Sequence, residues 1–359
     1  MLDRTRKVRP GEELDVERLC AFLAEKVPGL AGLTPAHVVV EQFPGGHSNL
    51  TYLVRLGAPF ARDLVLRRPP FGNQVKTAHD MGREVRVLTK LAPVYAPAPR
   101  VVASTEDEGV LGAPFYLMEP VEGLIFRRTP PAGVIIDAAL ARTLSETTVD
   151  GLAELHAVDV AKHGLLDLGK PEGFVRRQVT GWAERYEKAK TDDVPDVPWV
   201  VSWLMDHQPA SPPPTIVHND WKLDNLVLDP NDPRRIVGVL DWEMATVGDP
   251  LMDVGTMLSY WVEKGDPDEF QMMAFGPTNV DGSLTRREAA ARYASKTGRD
   301  LSGIVFYYAF ACFKTAVVAQ QIYARYKKGL TKDERFAMMI FGVRALGAAA
   351  RRGIESGTV

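Results

Sequence analysis

Residues 216–253 read IVHNDWKLDNLVLDPNDPRRIVGVLDWEMATVGDPLMD. Two short apolar runs, 226–228 and 236–240, predict buried strands joined by the Pro/Asn/Asp-rich turn at 229–233. Polar groups crowd the outer ends of this hairpin. Asp220, Lys222 and Asn225 precede the first strand, and Asp241 directly follows the second. Since a hairpin brings its outer ends together, two carboxylates, an amide and an ammonium are expected around one small volume.

Such a set suits phosphoryl transfer. That reaction needs a carboxylate to orient and deprotonate an attacking hydroxyl, and oxygen ligands to hold Mg²⁺ on the nucleotide phosphates. Magnesium takes hard oxygen donors, commonly one or two carboxylates completed by phosphate oxygens and water. Asp220 fits the base, Asn225 and Asp241 fit the metal, and Lys222 can neutralise charge on the transferred group. The spacing His218-x-Asp220-x-Lys222-x-x-Asn225 matches the protein-kinase catalytic loop, with Asn219 in place of arginine. Plainer readings exist for each residue: Asp220 as a turn residue, Asn225 as a loop amide, Asp249 or Asp253 as a helix cap. Neither turn nor cap requires Asp220 and Asp241 together. His218 reads as a structural histidine, and Asp253 as a helix N-cap.

On these motifs the chain resembles the aminoglycoside phosphotransferase and choline kinase-like group of small-molecule kinases. Asp241-Trp242-Glu243 stands where protein kinases carry Asp-Phe-Gly, and the Gly248-Asp249-Pro250-x-x-Asp253 run is typical of the group. The resemblance implies an α+β, two-lobed protein-kinase-like fold. A small antiparallel-sheet N-lobe (1–119) would bind nucleotide, and a larger, mainly helical C-lobe (120–359) would carry catalysis and the acceptor. It also implies ATP and Mg²⁺ as cofactors.

The N-terminal third supports this order of parts. Three strand-like segments, 37–43, 50–56 and 63–68, follow an amphipathic helix at 15–27. Between the first two lies Pro44-Gly45-Gly46-His47-Ser48-Asn49, whose small residues allow close backbone approach to a phosphate; a plain hairpin turn is the alternative. Gly45, Gly46, Ser48 and Asn49 are therefore candidate nucleotide contacts. The third strand ends in Arg67-Arg68 where the fold usually carries a lysine, so Arg67 is the candidate phosphate cation. Glu84, on a helix spanning 77–91, is by resemblance its ion-pair partner. Strands at 100–104 and 114–118 lead into Glu119-Pro120-Val121-Glu122-Gly123, the expected link between lobes. The resemblance assigns Met118, Glu119 and Val121 to the adenine edge.

Beyond the link, helices are expected at 144–158, 174–190, 286–297, 303–327 and 332–351, with a capping box at Thr285 and Glu288. The proline-rich stretches 192–198 and 211–214 read as loops that interrupt helices. His156, on a helix similar to the family's core helix, reads as structural.

Composition narrows the partners. Of 359 residues, 45% are hydrophobic and 25% charged, and a formal charge of −3 gives no reason to expect nucleic acid or an anionic membrane. Cys20 and Cys312 form no metal or redox spacing. The N-terminus lacks the apolar core of a signal peptide, and the apolar run 304–313 is too short to cross a bilayer. A cytoplasmic protein is expected; its oligomeric state is not legible. The partner is a small-molecule hydroxyl acceptor. Glu263, Asp266, Asp268 and Glu269 would suit a polycationic aminoglycoside, whereas Lys314, Arg325, Lys327 and Lys328 suit an anionic or acyl compound. The phrases LVLRRPP, HNDWKLDN and DWEMATVGDPLMDVG are similar to the kinase-like domains fused to certain acyl-CoA dehydrogenases, which implies a hydroxyacyl acceptor. No segment resembles a dehydrogenase catalytic domain, so flavin chemistry is not expected. A kinase-like module without turnover is the reading from another functional class, supported by arginine at position 67.

Overall fold

The computed structural model describes residues 5–44, 49–71, 80–331 and 333–359. Gly45, Gly46 and Ser48 lie outside the described residues. The chain divides into two compact units. One comprises Met1–Leu124, Val227–Asp232 and Ile236–Ala245; the other comprises Ile125–Leu226, Pro233–Arg235 and Thr246–Val359.

In the first unit, Asp15 accepts the N–H of Arg18 and starts α1 (Val16–Lys26), whose Leu19, Phe22 and Leu23 face the core. The strands β1 (Val38–Gln42), β2 (Leu50–Leu56) and β3 (Arg62–Arg68) form antiparallel neighbours. After α2 (Met81–Leu91), β4 (Val101–Thr105), α3 (Glu108–Leu111) and β5 (Phe115–Met118) complete a five-stranded sheet of order β1-β2-β3-β5-β4. Strand periodicity then sorts the side chains. Tyr52, Val54, Leu64, Leu66, Phe115 and Leu117 join α1 in one core cluster, sealed by the edge contact of Phe22 on Phe115 at 5.0 Å. Arg67 and Tyr116, directly paired across β3 and β5, therefore point to the opposite face. Glu84 of α2 meets them there.

The second unit is mainly helical. α4 (Ala138–His156), α5 (Phe174–Ala189) and α6 (Asp196–Asp206) precede the short strand β6 (Thr215–Val217). In sequence the hairpin of β7 (Leu226–Leu228) and β8 (Ile236–Val239) comes next and, apart from Leu226, its strands belong to the first unit; β9 (Thr246–Gly248), back in the second, pairs antiparallel with β6. α7 (Pro250–Ser259), α8 (Asp268–Gln271), α9 (Arg286–Thr297), α10 (Ile304–Lys327) and α11 (Met339–Ser356) follow. α10 is apolar nearly all round, the pattern of a helix enclosed by others. It packs against α5, α7 and α11. At its crossing with α7, Gly255 lies so close that a Cβ there would sit 2.3 Å from the Tyr307 carbonyl oxygen. The capping box at Thr285 and Glu288 forms as the sequence predicts.

The stretch expected as a loop at 192–198 is instead partly α6, which begins at Asp196. Pro198 falls in its first turn, where the missing N–H has no intrahelical partner to lose. Proline there starts a helix rather than breaking one. Among the described residues, no helix is long and apolar enough to cross a membrane.

Candidate active site

The candidate residues form two clusters, one within each unit. In the first, Arg67 is the hub. Its Nη2 donates to Asp241 Oδ1 at 2.5 Å and to Glu243 Oε2 at 3.1 Å. Its Nε lies 3.3 Å from Glu84 Oε2, yet neither atom is aligned for a hydrogen bond, so that contact is ionic rather than directed. Burial opposes the guanidinium charge, but Glu84 and Asp241 outweigh it and raise the Arg67 pKa. Glu84, with only 2% of its side chain exposed, is pushed up by burial, against the pull of Arg67 and a hydrogen bond from Tyr116. Asp241 itself has left-handed backbone at φ 65°, unusual for a non-glycine residue and a mark of a position held by its surroundings.

Glu243 extends this cluster. Its carboxylate accepts from the Asn49 amide at 2.8 Å as well as from Arg67, and its carbonyl accepts from Arg83. Asn49 is thereby joined to the strand cation. The motif Asp-Trp-Glu puts Glu243 in view on sequence alone, but only the structure shows what it holds. Tyr116 gave no comparable signal.

Met118, Glu119 and Val121 belong to neither cluster. Met118 ends β5, and the Glu119 N–H donates to the Arg100 carbonyl at 2.9 Å. Val121 packs so tightly on Gly238 that a Cβ at 238 would lie 2.4 Å from its Cγ1. The link is thus pressed against β8, and glycine is needed there for lack of space.

In the second unit the centre is Asp220. Its Oδ2 accepts from Lys222 Nζ at 2.5 Å and Asn225 Nδ2 at 2.9 Å, while Oδ1 accepts from the Tyr260 hydroxyl at 2.8 Å. Burial alone would push this carboxyl up; Lys222 outweighs it and holds the pKa below the usual aspartate value. The Lys222 ammonium also lies 5.0 Å from the Tyr260 ring and 5.3 Å from that of Phe275. Asn225 turns its amide nitrogen to both the carboxylate and the carbonyl of Asp220, which directs its Oδ1 away from them. Asp224 is buried enough to titrate near 6.

The loop bearing Asp220 is braced from behind. Asp253 accepts the N–H groups of His218 and Asn219, each at 2.5 Å, and His156 Nε2 lies 3.3 Å from the same carboxylate. Tyr293 engages the other His156 nitrogen at 2.7 Å. Asp249 accepts the N–H of Leu251 as the cap of α7 and a bond from Tyr307 at 2.9 Å.

Two acceptor expectations need correction. Lys314 does not face an acceptor: it is 6% exposed and donates to the Asn219 carbonyl at 2.6 Å. Nor are Glu263 and Asp266 open to a polycation. Arg286 holds Asp266 in a two-pronged ion pair with both distances 2.7 Å, and its own N–H donates to Glu263 at 2.5 Å.

Each unit holds a hard oxygen donor of the kind magnesium takes: Asn225 Oδ1 in the second and, in the first, the Asp241 carboxylate, of which one oxygen is bound by Arg67. These are the hard ligands that the ion prefers.

Comparison with known proteins identifies the family and the fold. The profile of the phosphotransferase enzyme family matches residues 39–289. A Ralstonia eutropha protein described as an inferred aminoglycoside phosphotransferase superposes with a TM-score of 0.77 at 30% identity, over 96% of this chain and 99% of that one. Choline kinase of Cryptosporidium parvum shares the fold, with a TM-score of 0.66 over 96% and 97% of the two chains at 13% identity. Among curated proteins, rat acyl-CoA dehydrogenase family member 11 is 32% identical over 337 residues, covering 92% of this chain. Mouse acyl-CoA dehydrogenase family member 10 is 34% identical over 289 residues, covering 79% of it. The matches span 42% and 26% of those relatives' own lengths.

Proposed function

The chain belongs to the phosphotransferase enzyme family, and from that premise we propose that it transfers the terminal phosphoryl group of ATP to a hydroxyl on a small molecule. Asp220 is the observation that carries this reading. Its carboxylate stays ionised despite burial, fixed on three sides by Lys222, Asn225 and Tyr260. A carboxylate of lowered pKa is a weak base, so it orients the acceptor hydroxyl by hydrogen bonding. It takes the proton only as the oxygen commits to phosphorus. Lys222 holds positive charge beside the transferred group.

Asn225 and Asp241 would each offer an oxygen to Mg²⁺, which neutralises phosphate charge when bound. Arg67, steadied by Glu84, would contact phosphate, with Asn49 and the preceding loop residues Gly45, Gly46 and Ser48. Adenine presents a donor and an acceptor side by side. With the Glu119 N–H already engaged, the Glu119 carbonyl and Val121 N–H are the groups suited to that edge, beside Met118.

For the acceptor, we infer a hydroxyacyl compound, such as a hydroxyacyl-CoA. Support comes from the relatives named for acyl-CoA dehydrogenases, from the aromatic pair Tyr260 and Phe275 near the base, and from the internal neutralisation of Glu263 and Asp266. A nucleotide-binding module without turnover is the second reading, favoured by the engagement of Arg67 with three carboxylates. The deciding measurement supplies ATP, Mg²⁺ and a panel of hydroxyacyl-CoAs, choline, aminoglycosides and sugars, and follows ADP and phosphorylated product. Hydroxyacyl-dependent turnover that vanishes in Asp220→Asn supports the proposal. Turnover retained in that variant defeats the role of Asp220, and nucleotide binding without product from any acceptor favours the second reading.

A further inference from the structure

The loop that presents Asp220 is clamped peptide by peptide. Asp253 takes the N–H groups of His218 and Asn219. The Asn219 carbonyl accepts from Lys314 Nζ at 2.6 Å, and the Asp220 N–H on that same peptide unit donates to His218 Nδ1 at 3.3 Å. Both peptide units flanking Asn219 are thus fixed. Asn219 itself sits at φ 64°, a left-handed conformation that a non-glycine residue keeps only where its surroundings hold it. The peptide that Lys314 grips leads directly into Asp220, so its orientation sets where the carboxylate points.

Lys314 is an odd residue for its place. It lies in the middle of α10 among buried Phe310, Phe313 and Val317, where an apolar side chain of equal length would pack without a charge to desolvate. Burial draws its pKa down to about 8, against the attraction of Asp220 and Asp253. The charge is therefore held at a disadvantage, aimed at one backbone oxygen behind the base.

We propose that Lys314 is a positioning residue for phosphoryl transfer, whose ammonium holds the Asn219 carbonyl and through that peptide aims the Asp220 carboxylate at the acceptor. This rests on the kinase reading above and adds to it a residue 94 positions downstream of the base in sequence.

The test uses the intact protein with Mg²⁺ and ATP, following ADP release with water as acceptor and with any compound active in the panel. Wild type should turn over and Asp220→Asn should not; equal rates in these two, or none in wild type, defeat the kinase reading itself. Given that difference, Lys314→Met should lower kcat at least 30-fold with KM for ATP within threefold of wild type. Lys314→Arg, which keeps a charged donor, should recover at least tenfold of that loss. A merely structural lysine would not split kcat from KM in this way. Lys314→Met with kcat within twofold of wild type overturns the proposal, as does a parallel loss of activity and ATP binding in step with the folded fraction. Should Lys314→Met not fold, Lys314→Gln is judged by the same criteria: a kcat loss at constant KM upholds the role, and wild-type kcat overturns it.

Discussion

Arg67 has three acidic neighbours, and only one of them, Glu84, is almost wholly out of solvent. Removing the cation should therefore hurt chiefly through the carboxylate left behind. Arg67→Met is expected to destabilise the fold by about 3 kcal/mol, and Arg67→Met/Glu84→Gln to regain part of it, both read from urea denaturation midpoints. Lys314 supplies a prediction in pH. Its folded pKa of about 8 lies below the ordinary 10.5, so above pH 8 the unfolded chain binds more protons than the native one. Stability should rise with pH in that window, by about 2 kcal/mol between pH 8 and 9.5, and the rise should be missing in Lys314→Met. Spacing alone proposes Asp220, Asn225 and Asp241, whose residue types have a chemical logic together, whereas Arg67 and Glu84 are proposed through the family resemblance. Spacing gives no sign of the contacts that Lys314, within α10, and Tyr260, just past the end of α7, make to residues remote in the chain.

At the level of helices and strands, legibility followed periodicity. α9 begins and ends where its capping box and apolar spacing place it, and β2 matches its apolar run residue for residue. The ribbon of β6 and β9 escaped notice because three-residue strands are too short to show a period. α6 is hidden because Pro198 reads as a stop, whereas it stands in the helix's first turn. Close helix packing is likewise invisible until the elements are placed. Two glycines make the contrast testable. Gly255→Ala forces a methyl onto the Tyr307 backbone and should destabilise by on the order of 2–3 kcal/mol. Gly181→Ala, on α5 with open space around its Cβ position, should stabilise by up to about 1 kcal/mol through helix propensity alone. Thermal or chemical denaturation of the two variants checks both signs.

For the whole molecule, fold class followed from the order of its motifs, while the acceptor did not, since fold fixes chemistry only where side chains make a site. Nucleotide binding offers a global readout. At a hundredfold excess over Kd, Mg²⁺-ATP should stabilise the native protein by about 2.7 kcal/mol, seen as a raised melting temperature. Withdrawing the metal with EDTA, or substituting Asp241→Asn, should shrink that gain. The ion pair of Arg286 with Asp266 carries a consequence outside the test tube. Kanamycin-like drugs are multiply protonated sugars that need bare acidic anchors, and here the Arg286 guanidinium is hydrogen-bonded to Asp266 and lies 3.7 Å from Glu263, which also accepts the Arg286 backbone N–H. Bacteria overproducing this protein should thus remain as susceptible to those antibiotics as their parent strain, with unchanged minimum inhibitory concentrations.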